Sequence, residues 1–288
     1  MIIWFGGGLG NQMFQYALYL NMKKKGLNVK GDLSYYNNHK CHNGLEIQKI
    51  FNLEIENIPR YKQVLYRYLI SPKIYKLGLF FLNSIIDNNV LIEKYHDRFY
   101  DFDKSSIKYA KGFWQSEKYF QSTFKDILSS YKFPELCGRN KSIAELIIAT
   151  QSISIHIRRG DYHSSKNINR YMILSETEYY RKAIEYAESQ IKDLTYFVFS
   201  DDIEWCKTNL CLENKIYFID WNKMEDSFID MNLMSQCKHN IIANSSFSWW
   251  AAWLNRNNNK IVIAPSKWYK DDNDGSIIIP DSWIKIAV

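Results

Sequence analysis

Ile2-Ile3-Trp4-Phe5-Gly6-Gly7-Gly8-Leu9-Gly10-Asn11-Gln12-Met13-Phe14-Gln15-Tyr16-Ala17 carries the chain from an apolar run, through three glycines, into helical spacing. Ile2 to Phe5 is short, apolar and aromatic, which suits a buried strand. From about Asn11 to Lys25, Met13, Tyr16, Ala17 and Leu20 recur at the spacing of one helix face, and Gly26 stands where a helix would end. Asn28 to Asp32 reads as the next strand. Strand, glycine turn, helix, strand is how a doubly wound α/β domain begins.

The same rhythm returns further along. Helices are expected at Ser142 to Ala149, Glu176 to Lys192, Ser227 to Ser235 and Trp249 to Leu254. Between them lie strands at Ser152 to Ile157, Thr195 to Phe199, Ile216 to Ile219, Asn240 to Ala243 and Lys260 to Ala264. Residues 60 to 100 are aromatic and basic with weak periodicity, and read as helices and loops. The expected architecture is α/β, with two Rossmann-type doubly wound domains facing each other across a cleft. The first would cover 1–140, with 265–288 available to complete it, and the second 141–264.

The chain has 288 residues, 46% hydrophobic and 24% charged, which excludes a wholly disordered protein and allows a sizeable core. Its net charge of +6 suits an acidic small molecule, an anionic membrane surface or nucleic acid. Only nine of the 37 basic residues are arginine, yet Arg158 and Arg159 are adjacent. Cys41, Cys137, Cys206, Cys211 and Cys237 are odd in number and form no CxxC pair, which argues against a disulfide framework or zinc cage. The apolar stretch Leu77 to Ile86 is interrupted by Gly78, Asn83 and Ser84 and falls short of the ~20 residues of a membrane span. The opening residues carry no basic n-region. A soluble, cytoplasmic protein is expected.

Three polar clusters follow expected strands: His156-Ile157-Arg158-Arg159-Gly160-Asp161-Tyr162, Ser200-Asp201-Asp202, and Asn244-Ser245-Ser246-Phe247-Ser248-Trp249-Trp250. Open α/β sheets bind ligands outside the carboxyl ends of their strands, so three such clusters would converge on one crevice. Arginine presents a planar fork to phosphate oxygens, and serines at a helix start suit a phosphate as well. Asp201 and Asp202 could accept hydrogen bonds from a base or ribose. Each cluster also has an ordinary reading: a strand-end ion pair, as between the arginines and Asp161, a solvated turn, or a plain helix cap. The loop Gly6 to Gln12 departs from GxGxxG, since its last glycine is out of register, and Asp32 is the sole candidate for the distal acid. A Rossmann oxidoreductase and a non-catalytic sugar- or nucleotide-binding module therefore both stay open.

Gly7 to Ala17, His156 to Tyr162, Ser200 to Asp202 and Asn244 to Trp250, with Trp114-Gln115-Ser116-Glu117-Lys118-Tyr119-Phe120, together resemble the α-1,2-fucosyltransferases of glycosyltransferase family eleven. The motifs run in the family's order over nearly the whole chain. The signal-anchor helix of the animal members has no counterpart, so the chain looks like a bacterial, cytosolic member.

The resemblance implies a GT-B-like pair of Rossmann domains. It also implies inverting, metal-independent and cofactor-free transfer of L-fucose from GDP-β-L-fucose to the 2-hydroxyl of a terminal β-galactose. The acceptor glycan would belong to a surface polysaccharide or glycolipid and could be lipid-linked, with peripheral contact to the inner membrane and no nucleic-acid partner. Carried over, His156, Arg158, Arg159, Asp201, Asp202, Asn244, Ser245, Ser246, Phe247 and Ser248 would bind the donor. In that set Arg158 sits at the diphosphate, His156 and Asp201 or Asp202 lie toward the guanosine, and Ser245 to Ser248 cradle phosphate. Gly10, Asn11, Gln12, Trp114, Gln115 and Glu117 would lie on the acceptor side or at the reacting sugar. Direct inversion ordinarily uses a base near the acceptor hydroxyl, for which Asp161 and Glu117 are the candidates.

Overall fold

The computed structural model describes all residues except 39–42, 71–88, 94–97, 103–105, 161–170, 211, 213 and 271–276. The chain divides into two compact units, Met1–Lys132 and Phe133–Val288. Each is an α/β unit on a parallel sheet, so the chain has the two units of a GT-B-like fold.

In the first unit the sheet order is β2-β1-β4-β3, all parallel, with β1 at Ile2–Trp4, β2 at Lys30–Asp32, β3 at Val90–Ile92 and β4 at Tyr109–Lys111. Helix α1 (Leu9–Lys24) links β1 to β2 and buries residues on every side, not on one stripe alone. Met13, Tyr16 and Ala17 are buried as the spacing predicts, but so are Gln12, Gln15 and Asn21. Buried amides need partners. Gln15 accepts from Gly6 N at 3.0 Å and donates to Gly112 O at 2.9 Å, while Asn21 donates to Tyr119 O at 2.6 Å. Gln12 accepts from Glu46 N and Ile47 N, the first residues of α2 (Glu46–Phe51), and so caps that helix. Helix α3 (Arg60–Leu69) packs on the sheet through Tyr66, whose ring stacks on Tyr109 at 4.3 Å, beside Ile2, Ile58 and Ile70.

In the second unit the order is β10-β9-β8-β5-β6-β7, again parallel throughout. The strands are β5 (Gln151–Ile157), β6 (Leu194–Ser200), β7 (Lys215–Ile219), β8 (His239–Ile241), β9 (Val262–Pro265) and β10 (Ile284–Ile286). The chain starts in the middle at β5, runs outward to β7, then returns to the other side of β5. The order therefore reverses between β5 and β8, where open α/β sheets form their binding crevice. Helices α4 (Gly138–Ala149), α5 (Tyr179–Gln190), α6 (Ile203–Asn209), α7 (Ser227–Gln236) and α8 (Ser246–Leu254) connect and cover the strands.

Strand β5 shows why the pattern is legible. Ile153, Ile155 and Ile157 point into the core that contains Tyr179, Ala183 and Ala187 of α5. Ser152, Ser154 and His156 alternate onto the other face, where Ser154 Oγ accepts from Asn240 Nδ2 at 2.7 Å. Helix α5 also sends two phenols to the strand ends: Tyr180 donates to His156 O at 2.9 Å, and Tyr179 to Ile242 O at 2.7 Å with Ile263 O at 3.1 Å.

Two expected boundaries move. Helix α4 belongs with the second unit, so the division falls after Lys132 instead of 140. Residues 265–288 do not complete the first sheet, because β10 pairs in parallel with β9 and extends the second.

Candidate active site

The reversal between β5 and β8 gathers the clusters of the second unit. Register pairs Ile157 with Ser200, so Arg158 and Asp201 leave adjacent strands side by side. Arg158 Nη1 lies 3.0 Å from Asp201 Oδ2. The same carboxylate accepts Arg159 N at 2.9 Å and Gly160 N at 3.1 Å, so Asp201 moulds the turn as well as holding the guanidinium. A side chain on Gly160 would meet that carboxylate at 2.9 Å, a reason for glycine here.

Arg159 is more completely engaged. Its Nε donates to Asp202 Oδ2 at 3.0 Å, its Nη1 to Ser175 Oγ at 2.8 Å, and its guanidinium lies 4.4 Å over the Trp205 ring. Asp202 in turn caps α6 by accepting Trp205 N at 3.2 Å. The strand-end ion pairs weighed from sequence exist, but with Asp201 and Asp202 as partners. Asp161, named as partner or base, lies outside the described residues. Both expected guanosine-facing carboxylates are thus spent on arginines and backbone N–H groups. Arg158, by contrast, keeps a third of its side chain exposed at the mouth of β5.

Across the reversal, α8 begins at Ser246 with Ser245 as its cap, Oγ accepting Phe247 N at 3.4 Å. The helix starts earlier than the apolar spacing suggests because this cap, not Trp249, sets its first turn. Its positive end and partly exposed Ser245, Ser246 and Phe247 border the crevice. Asn244 and Ser248 are buried instead. Asn244 Nδ2 donates to Met172 O and Trp268 O, and Ser248 Oγ to Ala243 O and Ser245 O. These two hold the loop that presents the others.

His156 bridges the two strands' clusters, its ring 5.7 Å from that of Phe247. It is buried, and Nδ1 has no hydrogen-bond partner among the described residues. Burial, with the neighbouring Arg158 charge as the second cause, pushes its pKa down to about 3. The imidazole is therefore neutral at physiological pH.

The first unit brings together Asn11 and Gln115, 104 positions apart, by a 2.7 Å bond from Gln115 Nε2 to Asn11 Oδ1. They meet where its own sheet order reverses, between β1 and β4. Gln12 does not join them: it is fully buried, and its amide also donates to Gly7 O at 3.1 Å and Gly44 O at 2.8 Å. Gly10 is buried within α1. Trp114 is buried too, with φ of 54° and its indole N–H unpartnered among the described residues. Its turn is held by Glu93, which accepts Phe113 N at 2.6 Å and Trp114 N at 3.2 Å. Glu117 is half-buried at the start of a short 3-10 turn, Glu117–Tyr119. The supporting residues Glu93, Ser175 and Trp205 escape sequence reading. Only Trp205 carries a signal, three positions after the capping Asp202.

Among the described residues, no three His, Cys, Asp or Glu side chains stand together as a ligand set for a metal ion. No helix among them is long and apolar enough to cross a membrane.

The family model of glycosyl transferase family 11 matches residues 2–287. An alpha-1,2-colitosyltransferase of Escherichia coli is 35% identical over 291 residues, covering 97% of this chain and 96% of the relative. WbnK, an O-antigen biosynthesis glycosyltransferase of Escherichia coli, is also 35% identical, over 300 residues, covering 97% and 98%. Among solved structures, NodZ alpha-1,6-fucosyltransferase co-crystallized with GDP aligns with 87% of this chain and 90% of its own, at 14% identity and a TM-score of 0.47. With a model match from end to end and two full-length relatives, the chain belongs to glycosyltransferase family 11 and is a glycosyltransferase.

Proposed function

We propose that this glycosyltransferase moves L-fucose from GDP-β-L-fucose, with inversion, to the 2-hydroxyl of a terminal β-galactose in surface-glycan synthesis. The observation that carries the reading is Arg158, one-third exposed and held by Asp201 at the end of β5, next to β8, the strand that leads into the positive end of α8. Departure of GDP develops negative charge on the β-phosphate. A preoriented guanidinium and a helix N-terminus stabilise that charge without reorganising during the reaction. Because Asp201 and Asp202 are committed to Arg158 and Arg159, the reading needs no metal and no cofactor. Neutral, buried His156 fits beside a nucleoside as a hydrogen-bonding group and is too weak a base to deprotonate a sugar hydroxyl.

On the acceptor side, Asn11 and Gln115 are the candidates, with Gln12 and Trp114 buried next to them in the chain. The base falls to Asp161 or Glu117, or to none if the transition state is strongly oxocarbenium-like. A lipid-linked acceptor and a cytoplasmic place of work belong to the same reading. A second reading replaces fucose by colitose, favoured by the full-length likeness to an alpha-1,2-colitosyltransferase. Both sugars are L-galactose derivatives lacking the 6-hydroxyl, and colitose lacks the 3-hydroxyl as well.

The test supplies purified protein with GDP-fucose or GDP-colitose and with lactose, N-acetyllactosamine or lacto-N-biose. GDP release is followed, and the linkage of the product is read by NMR. An α-1,2-fucosyl product from the fucose donor is expected. Turnover with GDP-colitose alone would select the second reading. No turnover with either, or thermal protection by NAD and not by GDP, would overturn both.

A further inference from the structure

The ten residues of α3, Arg-Tyr-Lys-Gln-Val-Leu-Tyr-Arg-Tyr-Leu from Arg60 to Leu69, carry an apolar face that stays exposed among the described residues. Tyr61 is 68% exposed, Val64 56%, Leu65 49% and Tyr68 59%. At the helical advance of about 100° per residue, these four fall within an arc of about 100°. The opposite side of the helix serves the core, through Gln63, Tyr66 and Ile70. Arg60 and Arg67 flank the exposed stripe on one side and Lys62 on the other. All three are exposed, and the helix contains no acidic residue.

We infer that this face of α3 docks the protein on an anionic lipid bilayer. Large apolar and tyrosyl side chains on a helix surface insert at the boundary between headgroups and acyl chains. Flanking Lys and Arg side chains then reach anionic headgroups while their stems lie along the apolar stripe. Charge decides the occupant. A second copy packed across a two-fold axis would set Arg60, Lys62 and Arg67 against themselves, with no carboxylate in the helix to offset them. An anionic bilayer meets the same charges with complementary ones. The stripe is separate from the residues of the candidate active site, so docking and catalysis can be tested independently.

Co-sedimentation of the full-length protein with vesicles of phosphatidylcholine alone, or mixed with phosphatidylglycerol, tests the inference. Binding to the mixed vesicles, weakened by salt and weak on phosphatidylcholine, is expected. The double variant Val64→Glu/Leu65→Glu should lower the partition coefficient at least about ten-fold by placing charge in the inserted stripe. Each of Arg60→Gln and Lys62→Gln should lower it about five-fold, the usual effect of one cation at an anionic surface. Turnover on a soluble galactoside should stay at the wild-type level in all of them, which also shows that they fold. Absence of vesicle binding by the wild type, equal affinity for both vesicle types, or full binding by the Val64/Leu65 variant would each overturn the inference. Wild-type self-association that this variant abolishes, without vesicle binding, would assign the face to a second copy instead.

Discussion

Replacing Asp201 by Asn removes one charge and almost no volume, and it separates two roles that the residue could play. In the structure its carboxylate receives Arg158 Nη1, Arg159 N and Gly160 N at 3.0, 2.9 and 3.1 Å. Asn can still accept from Arg159 N through Oδ1. Its amide NH₂ then faces the Gly160 N–H and the Arg158 guanidinium, donor against donor. The lost ion pair, partly screened because both side chains are partly exposed, is worth about 1 kcal/mol. Gly160 is exposed, so its N–H turns to water and loses little.

Neither loss falls on a ligand directly. What a ligand feels is that Arg158 is no longer held in place, and ordering such a side chain on binding costs about 1 kcal/mol. Affinity should therefore fall about five-fold. Isothermal titration with GDP and with inorganic pyrophosphate is the assay. If Asp201 acts through Arg158, both ligands weaken by the same factor, and Asp201→Asn has little further effect in an Arg158→Gln background. If the carboxylate instead touches the nucleobase, GDP weakens and pyrophosphate does not. That second result, or additive losses in the double variant, would refute the positioning role.

Gln12→Ala should act on stability before it acts on turnover. It strips partners from Gly7 O, Gly44 O, Glu46 N and Ile47 N, about 1 kcal/mol each, so that melting falls by roughly 10 °C. A calorimetric midpoint within about 2 °C of wild type would show that water replaces the amide without loss. Activity should survive excess EDTA, and loss of activity that Mn²⁺ or Mg²⁺ restores would mean that Asp201 and Asp202 leave their arginines to bind metal. His156, whose pKa is about 3 in the fold and about 6.5 when unfolded, makes the unfolded chain bind the extra proton between these values. Its contribution is present above the unfolded pKa and is lost as pH falls toward 3. Between pH 7.5 and 5 the wild type should therefore lose about 2 kcal/mol more than His156→Gln, by denaturant titration, and equal losses would place a proton on the buried ring.

The second unit was the more legible of the two. Parallel strands buried on both faces are continuous apolar runs, and Leu194–Ser200 stands out for that reason. Strands β3, β4 and β10 have three residues each, too few to show any period, and each exists only because a longer-range partner is available. Arg158, after β5, and Ser245 to Phe247, at the start of α8, lie at strand ends on either side of the order reversal, where the motifs pointed. Roles were harder. That Asp201 serves Arg158 depends on the register pairing Ile157 with Ser200, a relation between segments more than 40 positions apart. The resemblance placed Gln12 on the acceptor side, whereas its burial rests on partners at Gly44, Glu46 and Ile47, more than 30 positions away, which no local pattern shows.

The adjacent tyrosines of α5 have an electrical consequence. Parallel strands end in carbonyls, and bare ones would present partial negative charge to any anion entering the crevice. Tyr179 and Tyr180 put phenolic protons on the oxygens of His156, Ile242 and Ile263, which belong to β5, to the end of β8 and to β9. Two phenolic protons are shared among three carbonyls, one of which, Ile263 O, also receives Ile242 N within the sheet at 2.9 Å. The carbonyls of His156 and Ile242 therefore present less negative charge toward the guanidinium and helix terminus. Exchanging either phenol for phenylalanine would leave the ring packing in place and change the field at the edge. In that sense two hydroxyls, buried and remote from solvent, help set which sign of charge the crevice welcomes.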